Sequence, residues 1–577
     1  MKRTILISIA LIIGSTVYAQ KRNKDTIDTE EITVLRPYSP SVSDAFKIKV
    51  RPEITDSIAK KQVSYSIFSV PVASTFTPAK GRAKVLRVDP SAPVYDNFIT
   101  GGYGNFNSPQ AEVFFKTNSN NYNEFGGFIN YHSSVGGVKD AILDDNFLDT
   151  RVDLFYKQEE RDFDWQINGG FRHQKYNWYG LSDAINYTQS VIDNINEDLN
   201  YTEIYLGGLV DYPDSFFQGA TAELYRFTDD EGSSELYVLA KPKIEFPIAT
   251  ELINAEARIE FLTGDFFQNF EATDDISYTF LNAGFNPNFE VLRDNLTINL
   301  GVDLVYSAAS GVAESKGYVY PKVTASYILI DQVLTLYAGV TGGLHQNSFR
   351  EFTNLNPFVS PTLNIQRTDE QYNAYAGLKG KLASNVSYNF KGGYKNERDK
   401  ALFKLNASRT DGSQAVSKGY EAANSFQVVY DEVSTLFGFA EVSVDFSKTL
   451  KFGGSLEYNN FSTTNEQEAW NLPTLRATAF ANFNRDQWFA GAHLFFVGQR
   501  KDELMFNIPG VLINQSPQIV DVGNYVDLNL NGGYKFTDKL TAFAKVNNVF
   551  GSNYQKYTNF NVQGLQVFAG LTYKFDF

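Results

Sequence analysis

The sequence predicts an all-β protein, a transmembrane antiparallel β-barrel, from its composition, its lack of long apolar runs and its alternation of apolar and polar residues. The 577 residues include 48 Phe and 34 Tyr, yet the mean hydropathy is only -0.28. A water-soluble domain would bury so many aromatic side chains in a core, whereas a barrel places them on its lipid face around a polar lumen. No segment approaches the roughly eighteen consecutive apolar residues of a membrane-spanning helix.

The N-terminus predicts a secretory signal peptide over residues 1–19. Lys2 and Arg3 give a positively charged start, and Ile5–Gly14 is an apolar run too short to span a membrane. The small residue Ala19 then marks the expected cleavage site. The alternative is a buried N-terminal helix. The sequence contains no cysteine, which excludes disulfides, thiolate metal sites and a lipid-modified cysteine.

The final strand carries the clearest alternation. Its apolar positions are Leu565, Val567, Ala569, Leu571, Tyr573, Phe575 and Phe577. A period of two places these side chains on one face, toward lipid, and the intervening residues on the other, toward a wet lumen. We expect the last four apolar residues, Leu571, Tyr573, Phe575 and Phe577, to form the outer-membrane insertion signal that the barrel-assembly machinery recognises.

Short polar breaks alternate with longer connections along the chain. The short breaks fall near 118–122, 158–163, 212–216, 247–250, 291–294, 330–332, 382–385, 446–449, 484–487 and 536–540. The others, mostly longer, fall near 134–145, 178–199, 229–232, 266–273, 309–315, 344–369, 397–433, 462–473, 499–522 and 550–562. Counting back from Phe577 predicts about 22 strands, within a range of about 18 to 24, over residues 95–577. In 397–433 the question stays open whether Leu402–Leu405 and Phe426–Tyr430 form an extra hairpin above the membrane.

The alternation of short and long connections also predicts an orientation. Outer-membrane barrels have short periplasmic turns and longer outer loops. We therefore expect a Gram-negative outer-membrane protein with both termini in the periplasm. Membrane lipids and lipopolysaccharide would surround the barrel, and residues 20–94 would form a short extended periplasmic or lumenal segment.

Several segments resemble the TonB-dependent receptor family. The C-terminal run Tyr525–Tyr557, closed by Gly570–Phe577, is similar to the last three strands of those receptors. Leu344–Thr362 resembles an outer-loop motif of the family, and Gly102–Phe106 followed by Pro109–Phe115 resembles the plug-poor barrels of the Bacteroidetes type. The resemblance implies a 22-strand barrel that takes a substrate across the outer membrane.

The N-terminal segment departs from that family. The residues Glu31, Ile32, Thr33, Val34 and Leu35 resemble a TonB-binding box, and the alternative is a short extended piece of a flexible tail. Only about sixty residues follow before the first strand, too few for the globular plug that wide barrels normally contain. We expect the lumen to be filled by residues 40–94, by outer loops folded inward, or by another protein. The β-prone stretch Tyr65–Phe76 would enter the lumen or add to the sheet of a periplasmic partner.

The sequence offers little catalytic chemistry. The four histidines, His132, His173, His345 and His493, lack metal-ligand spacing, and no convincing serine–histidine arrangement accompanies them. Carboxylates cluster in or beside predicted outer loops, at Asp144, Asp145, Asp229, Asp230, Glu231, Asp274 and Asp275. They would bind divalent cations that bridge to lipopolysaccharide or a ligand, and the alternative is that they are solvated loop charges. The net charge of -15 argues against nucleic acid as a partner.

These observations predict no enzyme and no cofactor, and they leave two functions open. The first is uptake or passage of a substrate, passively or through TonB. The second is a structural or accessory subunit of an outer-membrane assembly or secretion complex, with the N-terminal segment binding periplasmic partners.

Overall fold

A computed structural model describes residues 95–577, apart from 121, 214, 249–250, 272, 312 and 509–515. The described residues form one 22-stranded sheet, which closes because β1 (Asn97–Gly104) pairs with both β2 (Ser108–Asn120) and β26 (Gln566–Phe575). The predicted all-β antiparallel barrel and its strand count are therefore confirmed. The predicted signal peptide at 1–19, the segment 20–94 and the motif Glu31–Leu35 lie outside the described residues.

The remaining elements follow in chain order. They are β3 (Asn123–Ser134), β4 (Phe147–Glu159), β5 (Asp164–Asn177), α1 (Gln189–Ile192), β6 (Asp198–Asp211), β7 (Phe217–Asp229), β8 (Ser234–Ile248), β9 (Glu251–Phe266), β10 (Ile276–Arg293), β11 (Leu296–Ser310), β12 (Lys316–Ile330), β13 (Leu334–Gln346), α2 (Phe349–Leu355), β14 (Arg367–Ala383), β15 (Val386–Leu405), β16 (Phe426–Asp445), β17 (Leu450–Thr463), β18 (Leu475–Arg485), β19 (Trp488–Val497), β20 (Arg500–Leu504), β21 (Gln518–Val522), β22 (Tyr525–Lys535), β23 (Leu540–Asn547), β24 (Gln555–Tyr557) and β25 (Phe560–Asn561). The pairs β20–β21 and β24–β25 form two small sheets that are separate from the 22-stranded sheet of the wall. Within the described ranges, no helix has the length and apolar character to cross a bilayer.

The connections alternate in length as the sequence predicts. Tight turns at one end, such as 294–295 and 486–487, alternate with long loops at the other, such as 178–197 and 347–366. In the stretch that the sequence left open, β15 and β16 stay paired up to Leu405 and Phe426, with one shift of register between Glu397 and Lys400. The segments at 402–405 and 426–430 therefore extend these two strands beyond their neighbours and are not a separate hairpin.

The barrel wall separates an apolar outer face from a mixed inner face. On β26, Leu571 and Tyr573 are exposed on the outer face, and the terminal Phe577 is 83% exposed. The ring of Phe575 lies between those of Tyr573 and Phe577, at 6.2 and 5.4 Å. The predicted alternation of this strand is present, and its role as an insertion signal stays a prediction.

Inner-face aromatic rings lie across glycines of neighbouring strands. The ring of Phe437 on β16 covers Gly393 on β15, so that a Cβ at Gly393 would lie 2.5 Å from the ring. Gly570 and Phe543 have the same relationship, at 2.7 Å. Neighbouring strands are therefore locked together by shape as well as by backbone hydrogen bonds.

Candidate functional site

Among the described residues, the largest cluster of buried apolar side chains lies in the long loops at one end of the barrel and in the ends of the strands that carry them. The short helix α2, in the loop between β13 and β14, packs on the inner wall of β6, β7 and β9. The ring of Phe349 lies 6.0 Å from that of Tyr201, 5.3 Å from Phe227 and 5.0 Å from Phe266. Phe352 on the same helix is also fully buried. This loop therefore reaches several strands around the barrel and covers lumen-facing aromatic side chains.

Local sequence explains where α2 begins. Ser348 has extended backbone angles and its hydroxyl accepts a hydrogen bond from the Glu351 N–H at 3.1 Å. The Ser-x-x-Glu spacing is that of a helix N-terminal capping box. The buried Glu235 carboxylate on β8 accepts the next two donors, from Phe349 N at 2.6 Å and Arg350 N at 3.2 Å. A carboxylate at this end of a helix is favoured by the unpaired N–H groups and by the helix dipole.

Charged side chains attach the other side of this loop to the wall. The Arg350 guanidinium lies 3.9 Å above the centre of the Tyr225 ring and 3.5 Å from the Glu203 carboxylate. The Arg172 guanidinium donates to Asn354 Oδ1 at 3.0 Å and forms a two-pronged pair with Asp149 at 3.0 and 2.6 Å. Planar, bidentate contacts of this kind fix an arginine in direction as well as in distance.

Loops from opposite sides of the barrel meet over the lumen. The loops 178–197 and 406–425 follow β5 and β15, which lie ten positions apart in the closed sheet. Asn424 Nδ2 donates to the Trp178 carbonyl at 2.8 Å, and the Tyr187 hydroxyl donates to the Ala422 carbonyl at 3.0 Å. A barrel of this size is roughly 40 Å across. These contacts therefore require both loops to fold inward across the mouth.

Phe560 lies where three loops and the start of β16 meet. This residue, 1% exposed, stacks on Phe358 at 3.9 Å and meets Tyr179 edge-on at 5.0 Å and Phe426 at 5.9 Å. Tyr179 and Phe358 come from the loops after β5 and β13, and Phe426 is the first residue of β16. We call the five loops 178–197, 347–366, 406–425, 498–524 and 548–565, as far as they are described, the cap.

Asp502 holds the cap together through hydrogen bonds, as Phe560 does through apolar contacts. It is fully buried, and its Oδ1 accepts from Leu405 N and Glu503 N, both at 2.9 Å. Its Oδ2 accepts from Asn471 Nδ2 at 2.9 Å and the Thr558 hydroxyl at 2.6 Å. Burial raises the pKa of the Asp502 carboxyl, although these donors oppose the shift. One carboxylate thus joins the cap to the strand extension of β15 and to the loop after β17.

The histidines that the sequence singled out lie on four different strands. His132 is on β3, His173 on β5, His345 on β13 and His493 on β19. His345 Nε2 lies 2.9 Å from the Glu351 carboxylate, within the same loop region. In the described part of the chain, no three His, Cys, Asp or Glu side chains are grouped to hold a metal ion.

The carboxylate clusters bind loop donors. Asp229 accepts from Ser233 N at 2.7 Å, Asp230 accepts from Asn200 Nδ2 at 2.7 Å, and Glu231 pairs with Lys418 of the cap at 3.0 Å. In the loop after β3, Asp145 accepts from Val138 N at 2.6 Å. These carboxylates therefore organise loops. The anchors Glu235, Arg350, Asp502 and Phe560 were not expected from the sequence, although the Ser348–Glu351 capping box was a readable sign of α2.

Comparison with known proteins agrees with this architecture. The family model described as TonB dependent receptor-like, β-barrel matches residues 87–549. A search of curated proteins finds no match.

Three solved structures illustrate the similarity. The ferripyoverdine receptor of the outer membrane of Pseudomonas aeruginosa, bound to ferripyoverdine, is 12% identical with a TM-score of 0.60, covering 84% of this chain and 72% of its own. The copper transporter OprC is 12% identical with a TM-score of 0.60, covering 83% and 80%. The siderophore receptor PirA from Acinetobacter baumannii is 12% identical with a TM-score of 0.59, covering 83% and 80%. At such identities the likeness shows the fold.

Proposed function

Because the chain belongs to the TonB-dependent receptor-like β-barrel family, we propose that it is an outer-membrane uptake receptor whose own cap closes the lumen between transport events. The observation that carries the proposal is the meeting of loops across the mouth of a 22-strand barrel. Barrels of this width are normally plugged, because an open pore would leak small solutes. The sequence left three candidates to fill the lumen: residues 40–94, loops folded inward, or another protein. The contacts of the described residues support the inward-folded loops.

Uptake is tested in cells by deletion and complementation. A ferric siderophore and copper are the first substrates to try, because structurally similar proteins carry those names. We expect the deletion strain to lose growth or accumulation for one substrate, and the full chain to restore it. A strain that takes up every substrate tested at the wild-type rate, with the membrane intact, would contradict the proposal.

TonB engagement through Glu31, Ile32, Thr33, Val34 and Leu35 is the energised form of this proposal. An extended segment pairs with a partner sheet through its backbone N–H groups, and proline removes such a donor. We expect Ile32→Pro to abolish binding of the full chain to the purified periplasmic domain of TonB, and Thr29→Pro, outside the motif, to leave it unchanged. Equal binding by both variants would favour passive passage or another partner.

A structural role in an outer-membrane complex is the second candidate. Its support is the cap itself, whose buried aromatic junction and four-donor Asp502 are features of a stable assembly. A permanently closed barrel would serve as a scaffold, with residues 21–94 reaching periplasmic partners. We expect stoichiometric proteins to co-purify in mild detergent and to be lost when residues 21–94 are deleted. Purification of the barrel alone, with substrate-specific growth loss, would favour uptake.

A further inference from the structure

Three cationic residues, Arg476, Arg500 and Lys556, lie around Tyr525 at the outer rim of the lumen. Arg476, at the start of β18, is on the inner face and pairs in register with Val497 on β19, which pairs with Tyr525 on β22. The guanidinium of Arg500, on β20, lies 5.4 Å from the centre of the Tyr525 ring. The backbone of Lys556 is next to it, because the Arg500 guanidinium donates to the Lys556 carbonyl oxygen. The cluster therefore joins the barrel wall to two loops of the cap.

Within the described part of the chain, Arg476, Arg500 and Lys556 form no ion pair with a carboxylate. The Arg500 guanidinium donates hydrogen bonds to the backbone carbonyls of Gln555 at 2.8 Å, Gly523 at 3.3 Å, and Lys556. Its Nε is buried without a hydrogen-bond partner, in a residue only 5% exposed. A buried charge left in this state is costly unless an anion approaches it.

The nearest carboxylates are held by neutral donors. Glu457 lies opposite Arg476 in register, but its Oε1 accepts from the Asn459 amide at 2.8 Å. Asp527 accepts from the Tyr554 hydroxyl at 2.7 Å. Asp502 receives the four hydrogen bonds described above. The local charge is therefore not neutralised by direct pairing, although acidic groups are present around it.

The electrostatics of the cap agree with this geometry. Burial is the main cause that lowers the pKa of Arg500; repulsion from Arg476 adds to it, while Tyr525, Tyr557 and Asp502 oppose it. Lys556 reaches water within the cap, yet the surrounding protein, followed by the charge of Arg500, lowers its pKa as well. Cations that repel one another in this way gain most from a bound anion, since it offsets both repulsion and desolvation.

We infer that this cluster is a binding site for a small anion, a solute that carries a carboxylate or phosphate group. Arg476 and Lys556, both solvent-exposed, are the side chains that contact it, and Arg500 is a fixed positive charge behind them. Tyr525 and Tyr554, whose rings stack at 4.0 Å, form one wall of the site. Val497 lies between Arg476 and Tyr525 in register, and these two residues are two strands apart and so about 10 Å from each other.

The inference deepens the proposed function, because it makes the substrate of the uptake receptor an anion. Only this identification of the bound anion as the substrate rests on the proposed function. Binding itself is measurable on the purified full chain in detergent, without transport. Isothermal titration calorimetry with inorganic phosphate and with citrate, at ionic strength held constant with sodium chloride, separates the two anionic groups.

We expect at least one of the two anions to bind, and Arg476→Gln and Lys556→Gln each to weaken it by about tenfold, the value of one lost charge-assisted hydrogen bond. The matched control is Lys501→Gln, next to Arg500 on the same strand, whose ammonium pairs with Glu468 at 2.5 Å. Heat-dependent gel mobility shows that each variant is folded. Absence of binding by both anions, or equal weakening in the control, overturns the site. Binding without any uptake defect in the deletion strain would leave the site standing and overturn the uptake function.

Discussion

Replacement of Phe560 by alanine tests whether the cap is what closes the lumen. The side chain is 1% exposed and contacts aromatic rings from two other loops, at 3.9 and 5.0 Å, and from the start of β16, at 5.9 Å. Truncating a buried phenylalanine costs about 3–5 kcal/mol. If the loops separate together, a loss of about 3 kcal/mol raises the open fraction by at least about a hundredfold. Phe560→Ala should therefore make the barrel leaky without unfolding its wall.

The assay is conductance of the purified chain in planar bilayers, supported by entry of a large hydrophilic antibiotic into cells. Phe550→Ala is the matched control: it removes the same side chain from the same connection, where the ring is 57% exposed. We expect frequent, large conductance steps for Phe560→Ala and the wild-type trace for Phe550→Ala. If folded Phe560→Ala conducts no more than the wild type, the closure of the cap does not depend on this junction. If the wild type itself conducts freely, the cap does not close the pore.

Three further changes test other parts of the structure. Gly393→Ala should lower the urea concentration at which the barrel unfolds, because its Cβ would lie 2.5 Å from the Phe437 ring. Gly392→Ala, whose Cβ would have its nearest neighbouring atom at 3.6 Å, should leave that concentration unchanged. Burial raises the pKa of Asp502 above 3.8, so the contribution of this carboxyl to cap stability is fully present below pH 3.8 and is lost as pH rises through the raised pKa. Hydrogen exchange of the cap amides should show this contribution, and Asp502→Asn should remove it. Phe577→Ser should reduce outer-membrane assembly measured by surface labelling, and an unchanged amount would remove that residue from the insertion signal.

The barrel could be predicted because its determinants are local. Alternation with a period of two needs only neighbouring residues, and turn residues interrupt it wherever the chain reverses. Asp294 and Asp486 illustrate this: each lies in a tight turn with a positive φ, of 44° and 48°, which aspartate tolerates better than most residues. The predicted breaks near 291–294 and 484–487 therefore correspond to real turns.

The cap could not be predicted, because its contacts join positions that no local pattern connects. Phe358 and Phe560 stack, yet each sits in a loop where a single aromatic residue has no periodic partner. Asp502 reads in the sequence as one of many loop carboxylates, and only the fold brings Leu405, Asn471 and Thr558 to it. The start of α2 does have a local signal, the Ser348–Glu351 spacing of a capping box, but no helix was predicted from it.

The energetics of α2 bear on how such a barrel would open. Phe349 and Phe352 are fully buried, and Phe349 covers Phe227 and Phe266 on the inner wall. Exposing two buried phenylalanines costs about 3–6 kcal/mol in total, so spontaneous release of this loop would occur in only about one molecule in a hundred to one in ten thousand. Passage at a useful rate therefore requires either a substrate that replaces these contacts or work supplied from the periplasmic side. The effect of Ile32→Pro on uptake distinguishes the two, because only the second route depends on a periplasmic partner.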